Sequence, residues 1–377
     1  MKRLLIIIFS LLLVITITGC TKEEKKVKKK YIEDYEIEES IFKDSYKKAS
    51  KLVTDMTIEE KIAQIFLVRY DKTYPNKYKD TPPGGYILFA KDFENHTKES
   101  IKKELDTAQS INKYPLILGV DEEGGYVTRI SRFTNFREEK FKSPKAYYDE
   151  GGDELLKSTE KEKAELLKSI GLNLNLAPVA DVSTDENDYI YNRTFGRNAT
   201  ETSELIKKMV EYSKENKINS CLKHFPGYGN NEDTHTGIAI DNRDYKEITE
   251  NDYLPFKKGI EANVPSILVS HNVINSIDSE YPASLSGKVI YELRNNLNFT
   301  GIIMTDDLAM DAVKSYVSDG NAATLAINSG NDMIITSDFE TMYNEVLNSY
   351  KEGIISEETI NKAVLRIIAW KYESNLF

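Results

Sequence analysis

Short apolar runs recur at Ile65 to Val68, Tyr86 to Ala90, Leu116 to Val120, Leu174 to Val179, Asn219 to Leu222, Ser266 to Val269, Ile302 to Met304 and Met333 to Ile335. Runs of this length with little polar alternation belong to strands buried on both faces. Between them lie amphipathic or charged stretches, among them Glu99 to Asn112, Leu155 to Ile170, Ser203 to Asn216 and Ile290 to Leu297, which suit helices. Eight such units predict an α/β chain folded as a (β/α)8 TIM barrel in a single domain. An open doubly wound sheet is the alternative, but it would gather its polar groups at one switch point, and here they follow many of the strands. Ahead of the first run, Thr57 and Glu60 have capping-box spacing before Ile58, Ile62 and Ala63, so the ordered domain is expected to start with a helix near Thr54 to Ala63.

The N-terminus follows a different pattern. Lys2 and Arg3 precede an apolar run from Leu4 to Ile17 that is short against the roughly 20 residues of a membrane-spanning helix. This reads as an export signal, with a retained membrane anchor as the alternative. It closes on Ile17, Thr18, Gly19 and Cys20, which resembles the bacterial lipoprotein signal and makes Cys20 the lipidated residue. From Thr21 to about Glu39 the chain is almost all Lys, Glu, Asp and Tyr, the composition of a tether. The expected organisation is a signal peptide over residues 1–19, a lipidated and charged tether over 20–50, and the barrel over 51–377. The protein would then sit at the cell membrane, lipid-anchored on the extracytoplasmic face.

At 377 residues, with 40% hydrophobic and 29% charged positions, the chain can bury a full core. Removing residues 1–19 takes away Lys2 and Arg3 and moves the net charge from −11 to −13, which argues against nucleic acid as a partner. Cys20 and Cys221 are the two cysteines; with Cys20 lipidated, Cys221 reads as a buried thiol and no disulfide remains.

Chemistry is expected at the strand ends. Asp121 and Glu122 follow the third run, Asp181 the fourth, Lys223 and His224 the fifth, His271 the sixth, and Asp306 and Asp307 the seventh, and a barrel brings these ends to one face. The stretch KHFPGYGNNEDTHTG, Lys223 to Gly237, is the densest of them. Asp233 and His235 are spaced so that the carboxylate can hold one imidazole nitrogen while the other meets a substrate, which makes a proton donor and acceptor. A turn with solvated side chains is the plainer reading of those two residues. Asp306 is the first residue past its strand and the candidate nucleophile, while Asp307 is suited to cap or orient the following helix. A carboxylate facing a histidine across a pocket suits retaining glycoside cleavage. His271 could line the pocket or be structural.

Seven segments carry a resemblance: MTIEEKIAQIF at Met56 to Phe66, GVDEEGGYVTR at Gly119 to Arg129, LNLAPVADV at Leu174 to Val182, NRTFGRN at Asn192 to Asn198, KHFPGYG from Lys223, PASLS at Pro282 to Ser286, and TDDLAM from Thr305. In this order they resemble family 3 glycoside hydrolases of the β-N-acetylhexosaminidase type, the NagZ-like group, from about Asp55 to the C-terminus. The resemblance implies a (β/α)8 barrel, Asp306 as nucleophile, His235 as general acid/base and Asp233 as its partner. It also implies that Asp121 accepts hydrogen bonds from hydroxyls at the non-reducing end of the sugar, and that Arg129, Arg193, Lys223 and His224 donate to hydroxyls or organise the pocket. The implied substrate is a terminal β-linked N-acetylglucosamine, with peptidoglycan fragments as the expected source, and no metal or organic cofactor is implied.

Three departures stand out: Tyr228 where the family has a second histidine, Glu122 where an uncharged residue is commoner, and a loop from Lys223 to His235 that is one residue short. A phenol titrates near 10 and makes a poor proton relay at neutral pH. The chain ends at Phe377, where no sandwich domain like that of many family members is expected, which is consistent with an acid/base held in the barrel's own loop. A phosphorylase that uses phosphate in place of water, and a noncatalytic glycan-binding lipoprotein, are the rival readings.

Overall fold

The computed structural model describes residues 40–229, 239–310, 313, 316–317 and 320–377. The signal peptide, Cys20 and the tether up to residue 39 lie outside them, as do Asp233 and His235.

Eight parallel strands form one sheet: β1 (Phe66–Arg69), β2 (Gly85–Leu88), β3 (Ile117–Val120), β4 (Leu174–Asn175), β5 (Asn219–Phe225), β7 (Ser266–Val269), β9 (Ile302–Thr305) and β10 (Ile334–Thr336). They follow one another in chain order, and β1 pairs with β10. At the remaining seam between β9 and β10, Met304 bridges to Met333, Thr305 N–H donates to the Met333 carbonyl (3.1 Å) and Met333 N–H to the Ile303 carbonyl (3.1 Å). The ring is the expected (β/α)8 TIM barrel. Two short strands, β6 (Ile240–Asp241) and β8 (Val273–Ile274), pair in parallel outside it.

All eight expected strands are present, and the differences have local causes. β4 stops at Asn175 where one extra residue enters its side of the ladder, since Asn175 pairs with Ser220 but Val179 with Lys223, and Pro178, which has no N–H to give, lies inside this bulge. β5 runs on to Phe225, so Lys223 and His224 lie within a strand. The helix expected from Leu155 begins at Pro144, behind an N-cap at Ser143, and is kinked at Gly151 and Gly152; the one expected over Ile290 to Leu297 is an α-turn at Gly287–Tyr291 followed by a π-helix at Glu292–Asn296.

The domain starts earlier than residue 51. Tyr46–Asp55 is already a helix with Ala49 and Val53 buried, and it packs against the C-terminal helix Glu357–Glu373. Extended backbone at Met56 then separates it from Ile58–Gln64, which carries the expected capping box between Thr57 and Glu60. The single helix read over Thr54 to Ala63 is therefore two.

The C-terminal helix seats a buried lysine against the barrel. Lys371 is fully buried, and its Nζ donates to Gln64 Oε1 and to the Pro115 carbonyl, both at 2.6 Å. Burial lowers its pKa to about 7. Between that value and the ordinary lysine range, the unfolded chain binds a proton that the folded chain does not, so stability rises with pH across this window. Urea unfolding should show a gain of about 2 kcal/mol from pH 7 to pH 9 from this site, absent in Lys371→Met. Equal slopes in the two proteins would show that Lys371 stays charged in its site.

Candidate active site

The charged residues expected at the strand ends converge at the C-terminal side of β3, β4 and β5. Lys223 Nζ reaches Asp121 Oδ1 and Glu123 Oε1, each at 2.6 Å, with all three side chains largely buried. Arg193 grips the same Glu123 from another side, with Nε 3.0 Å from Oε2 and Nη2 2.8 Å from Oε1, and Nη2 also stands 3.2 Å from His224 Nε2. His224 Nδ1 lies 2.8 Å from Asp181 Oδ2, and the Asp181 carboxylate also accepts from the backbone N–H groups of His224 (3.1 Å) and Tyr228 (2.7 Å). The network orients the ring so that Nδ1–H donates to Asp181 and Nε2 accepts from Arg193.

Glu123 is the hub, and it was not among the expected site residues. Burial pushes its carboxyl up, but the Lys223 ammonium and the Arg193 guanidinium overcome that and hold it well below the usual carboxylate range. Burial likewise works against the Lys223 ammonium, and Asp121 and Glu123 reverse the effect, raising its pKa. The buried Lys163, paired with Glu160 at 2.6 Å, donates to the Glu123 carbonyl at 3.2 Å and ties the hub to the helix Pro144–Ser169. Period-two spacing carried a signal for Glu123: extended past β3, it falls on the same side as Asp121.

Glu122 has a different task. Its Oε2 accepts from the backbone N–H groups of Arg129 (2.8 Å) and Ile130 (2.7 Å), and its Oε1 from the Ser131 hydroxyl, so this fully buried carboxylate closes the loop after β3. Both oxygens are used as acceptors, which a neutral amide could not reproduce. The Arg129 guanidinium lies over the Phe89 ring at 5.3 Å, as that of Arg69 does at 4.5 Å, with the Arg129 Nε buried and without a hydrogen-bond partner among the described residues. Arg129 is thus not part of the Lys223 and Arg193 network. Tyr228 is buried, its ring edge-on to His224 at 5.3 Å and tilted against Tyr189 at 5.9 Å. It packs beside the histidine as an aromatic wall.

Asp306 comes from the other side of the same face. Phe225 pairs with Val269 and Val269 with Thr305, so the ends of β5, β7 and β9 form one row; Asp306 N–H then donates to the Val269 carbonyl at 3.1 Å. Two strand spacings put Asp306 about 10 Å across the sheet from the end of β5. Its Oδ1 accepts from Asp307 N–H at 2.8 Å. Asp307 points away and accepts from Ala309 N–H (2.9 Å) and Ser337 N–H (3.1 Å), a bracing role, and burial raises its pKa. His271 is buried with Nδ1 2.7 Å from Ser284 Oγ and Nε2 3.1 Å from the Asp307 carbonyl. It is a prop beneath the Asp306 turn. Under these groups, burial pushes the Cys221 thiol up to about 12, and the thiol senses Lys223, Asp121 and Asp306 together.

Comparison with known proteins points to one family. A beta-hexosaminidase of Nitrosomonas eutropha is 32% identical over 273 residues, covering 71% of this chain and 77% of its own, and beta-hexosaminidase A of Pseudoalteromonas piscicida is 29% identical over 76% of this chain and 53% of its own. The chain thus spans about half the length of the second. A glycoside hydrolase family 3 beta-N-acetylglucosaminidase from Paenibacillus sp. str. FPU-7 superposes with a TM-score of 0.79 at 24% identity, over 85% of this chain and 63% of that one, and shares its fold. Residues 57–370 match the glycosyl hydrolase family 3 N terminal domain, and the chain belongs to that family.

Proposed function

We propose that this chain is a retaining exo-β-N-acetylglucosaminidase that removes terminal β-linked N-acetylglucosamine from cell-wall-derived glycans, peptidoglycan fragments among them. The observation that carries this reading is the convergence of Asp121, Lys223, Arg193 and His224 on one strand-end face with Asp306. Ionised donors and acceptors held in fixed directions suit the hydroxyls of one sugar ring. In this reading Asp306 attacks the anomeric carbon and forms a glycosyl ester while His235 gives its proton to the leaving oxygen. His235 then takes a proton from water, whose oxygen displaces Asp306 and leaves the sugar with its original configuration. Asp233 keeps His235 oriented and basic. Lipidated at Cys20, the enzyme would face the wall from the extracytoplasmic side of the membrane. The beta-hexosaminidase names of the relatives support the substrate class.

The test is release of 4-nitrophenol from its β-N-acetylglucosaminide by the full chain, beside the β-glucoside, with and without phosphate. Turnover of the first substrate alone, independent of phosphate and partitioning with membranes unless Cys20 is replaced by Ser, is the expected result. Phosphate-stimulated release of a sugar 1-phosphate would replace hydrolysis with phosphorolysis, and sugar binding without turnover would make the chain a glycan-binding protein.

A further inference from the structure

Residues 230–238, which include Asp233 and His235, are flanked on both sides by one buried ion cluster. On the far side, β6 pairs with β8, Val273 N–H donates to the Ala239 carbonyl (2.9 Å) and Asn275 N–H to the Asp241 carbonyl (3.0 Å), so the chain leaving this stretch is fixed to the loop after β7. The Asp241 carboxylate on β6 receives Arg243, with Nε 3.0 Å and Nη2 2.7 Å from Oδ2. The same guanidinium reaches Asp252 through Nη1 (2.8 Å to Oδ2) and Nη2 (3.2 Å to Oδ1). Both aspartates are buried.

On the near side the cluster presses on the two glycines of the Lys223 to Gly229 turn. A Cβ on Gly227 would stand 2.3 Å from Asp252 Oδ1, and one on Gly229 would stand 2.5 Å from Arg243 Nη2. Both glycines also have left-handed backbone, with φ of +129° and +57°. The turn therefore lies flat on the charged groups, with no side chain between them. One cluster touches the last residues before the stretch and holds the first residues after it.

A buried Asp–Arg–Asp triad is a weak source of stability, because removing three charges from water offsets much of their attraction; such groups are better suited to fixing geometry. We propose that Arg243, with Asp241 and Asp252, is a positioning device for the acid/base: it sets the distance and direction between the two stems of residues 230–238. This rests on the reading of His235 as acid/base. Arg243 touches neither sugar nor reacting atom in this role. It acts on the step that needs a proton delivered, and leaves the attack by Asp306 alone.

The experiment separates those steps by leaving group. Arg243→Met and the isosteric Asp252→Asn are assayed in the full chain on N,N′-diacetylchitobiose, whose departing sugar needs a proton, and on 2,4-dinitrophenyl β-N-acetylglucosaminide, whose acidic phenol does not. The expected result is a loss of about 10–100-fold in kcat/KM on the disaccharide, part of the roughly 10²–10⁴-fold that a well-placed acid/base contributes, with kcat/KM on the dinitrophenyl sugar within about threefold of wild type. Azide, replacing water without needing a base, should raise kcat of the variants on the dinitrophenyl sugar and give the β-glycosyl azide. Equal losses on both substrates, or no loss on either in two folded variants, would overturn the proposal. Failure of the underlying hydrolase reading looks different, since the wild-type chain would then turn over neither sugar.

Discussion

Asp306→Ala should fold normally and lose turnover by on the order of 10⁴-fold or more, the scale seen when a covalent nucleophile is deleted. Normal folding is expected because the turn is held by groups that the substitution leaves in place. The Asp306 N–H still donates to Val269, Asp307 still accepts from Ala309 and Ser337, and His271 still supports the Asp307 carbonyl. Among the bonds to the Asp306 carboxylate, the one from Asp307 N–H to Oδ1 is lost, worth about 1 kcal/mol. A kinetic check distinguishes a lost nucleophile from a damaged site: azide added to Asp306→Ala should attack from the vacated face and give the inverted α-glycosyl azide. Near-normal turnover in a folded Asp306→Ala would sink the assignment. Asp307→Asn provides the contrast, since Asp307 braces backbone, and its effect should fall on stability more than on kcat. Asp233→Ala should cost less than Asp306→Ala, because it removes only the support of the acid/base.

The barrel was legible because a parallel strand buried on both faces reads as an unbroken apolar run, and each of the eight runs is short enough to exclude a helix. The misread boundaries have identifiable causes. Lysines dominate the composition around Tyr46–Asp55 and hide the buried pair Ala49 and Val53, one helical turn apart, so tether composition was carried past the start of the fold. Gly151 and Gly152 break the period of the helix that begins at Pro144. In the site, Asp121, Lys223 and His224 could be selected because charged residues at strand ends are costly unless used, whereas Arg193 is named only through the family resemblance. Arg129 is likewise named through the resemblance, and its guanidinium lies over the Phe89 ring. Three adjacent acids, Asp121, Glu122 and Glu123, concealed three separate tasks. Which carboxylate meets a lysine and which meets backbone N–H groups is decided by the path of residues 124–131, and composition says nothing of that path.

Glu123 therefore carries the second large prediction. Glu123→Ala removes the one carboxylate bound by both Lys223 and Arg193, leaving the ammonium with Asp121 alone and the guanidinium beside His224. Breaking a buried pair from one side typically costs about 3–5 kcal/mol, because the remaining charge stays buried and uncompensated. The loss should be apparent as a lowered urea midpoint with unchanged slope. The same site predicts the acid limb of stability. The folded pKa of Glu123 lies below its unfolded value, so its contribution is complete above the ordinary glutamate range and is lost as pH falls through that range towards the folded value. Wild type should thus lose more stability than Glu123→Ala between pH 5 and strong acid. Glu123→Gln separates charge from shape: it keeps one acceptor but sets an amide N–H₂ against Lys223 or Arg193, so sugar binding should weaken, with KM raised on the 4-nitrophenyl substrate. Parallel acid limbs in wild type and Glu123→Ala would mean that the hub is already satisfied without its charge, and that the order of the site comes from Asp181 and His224 instead.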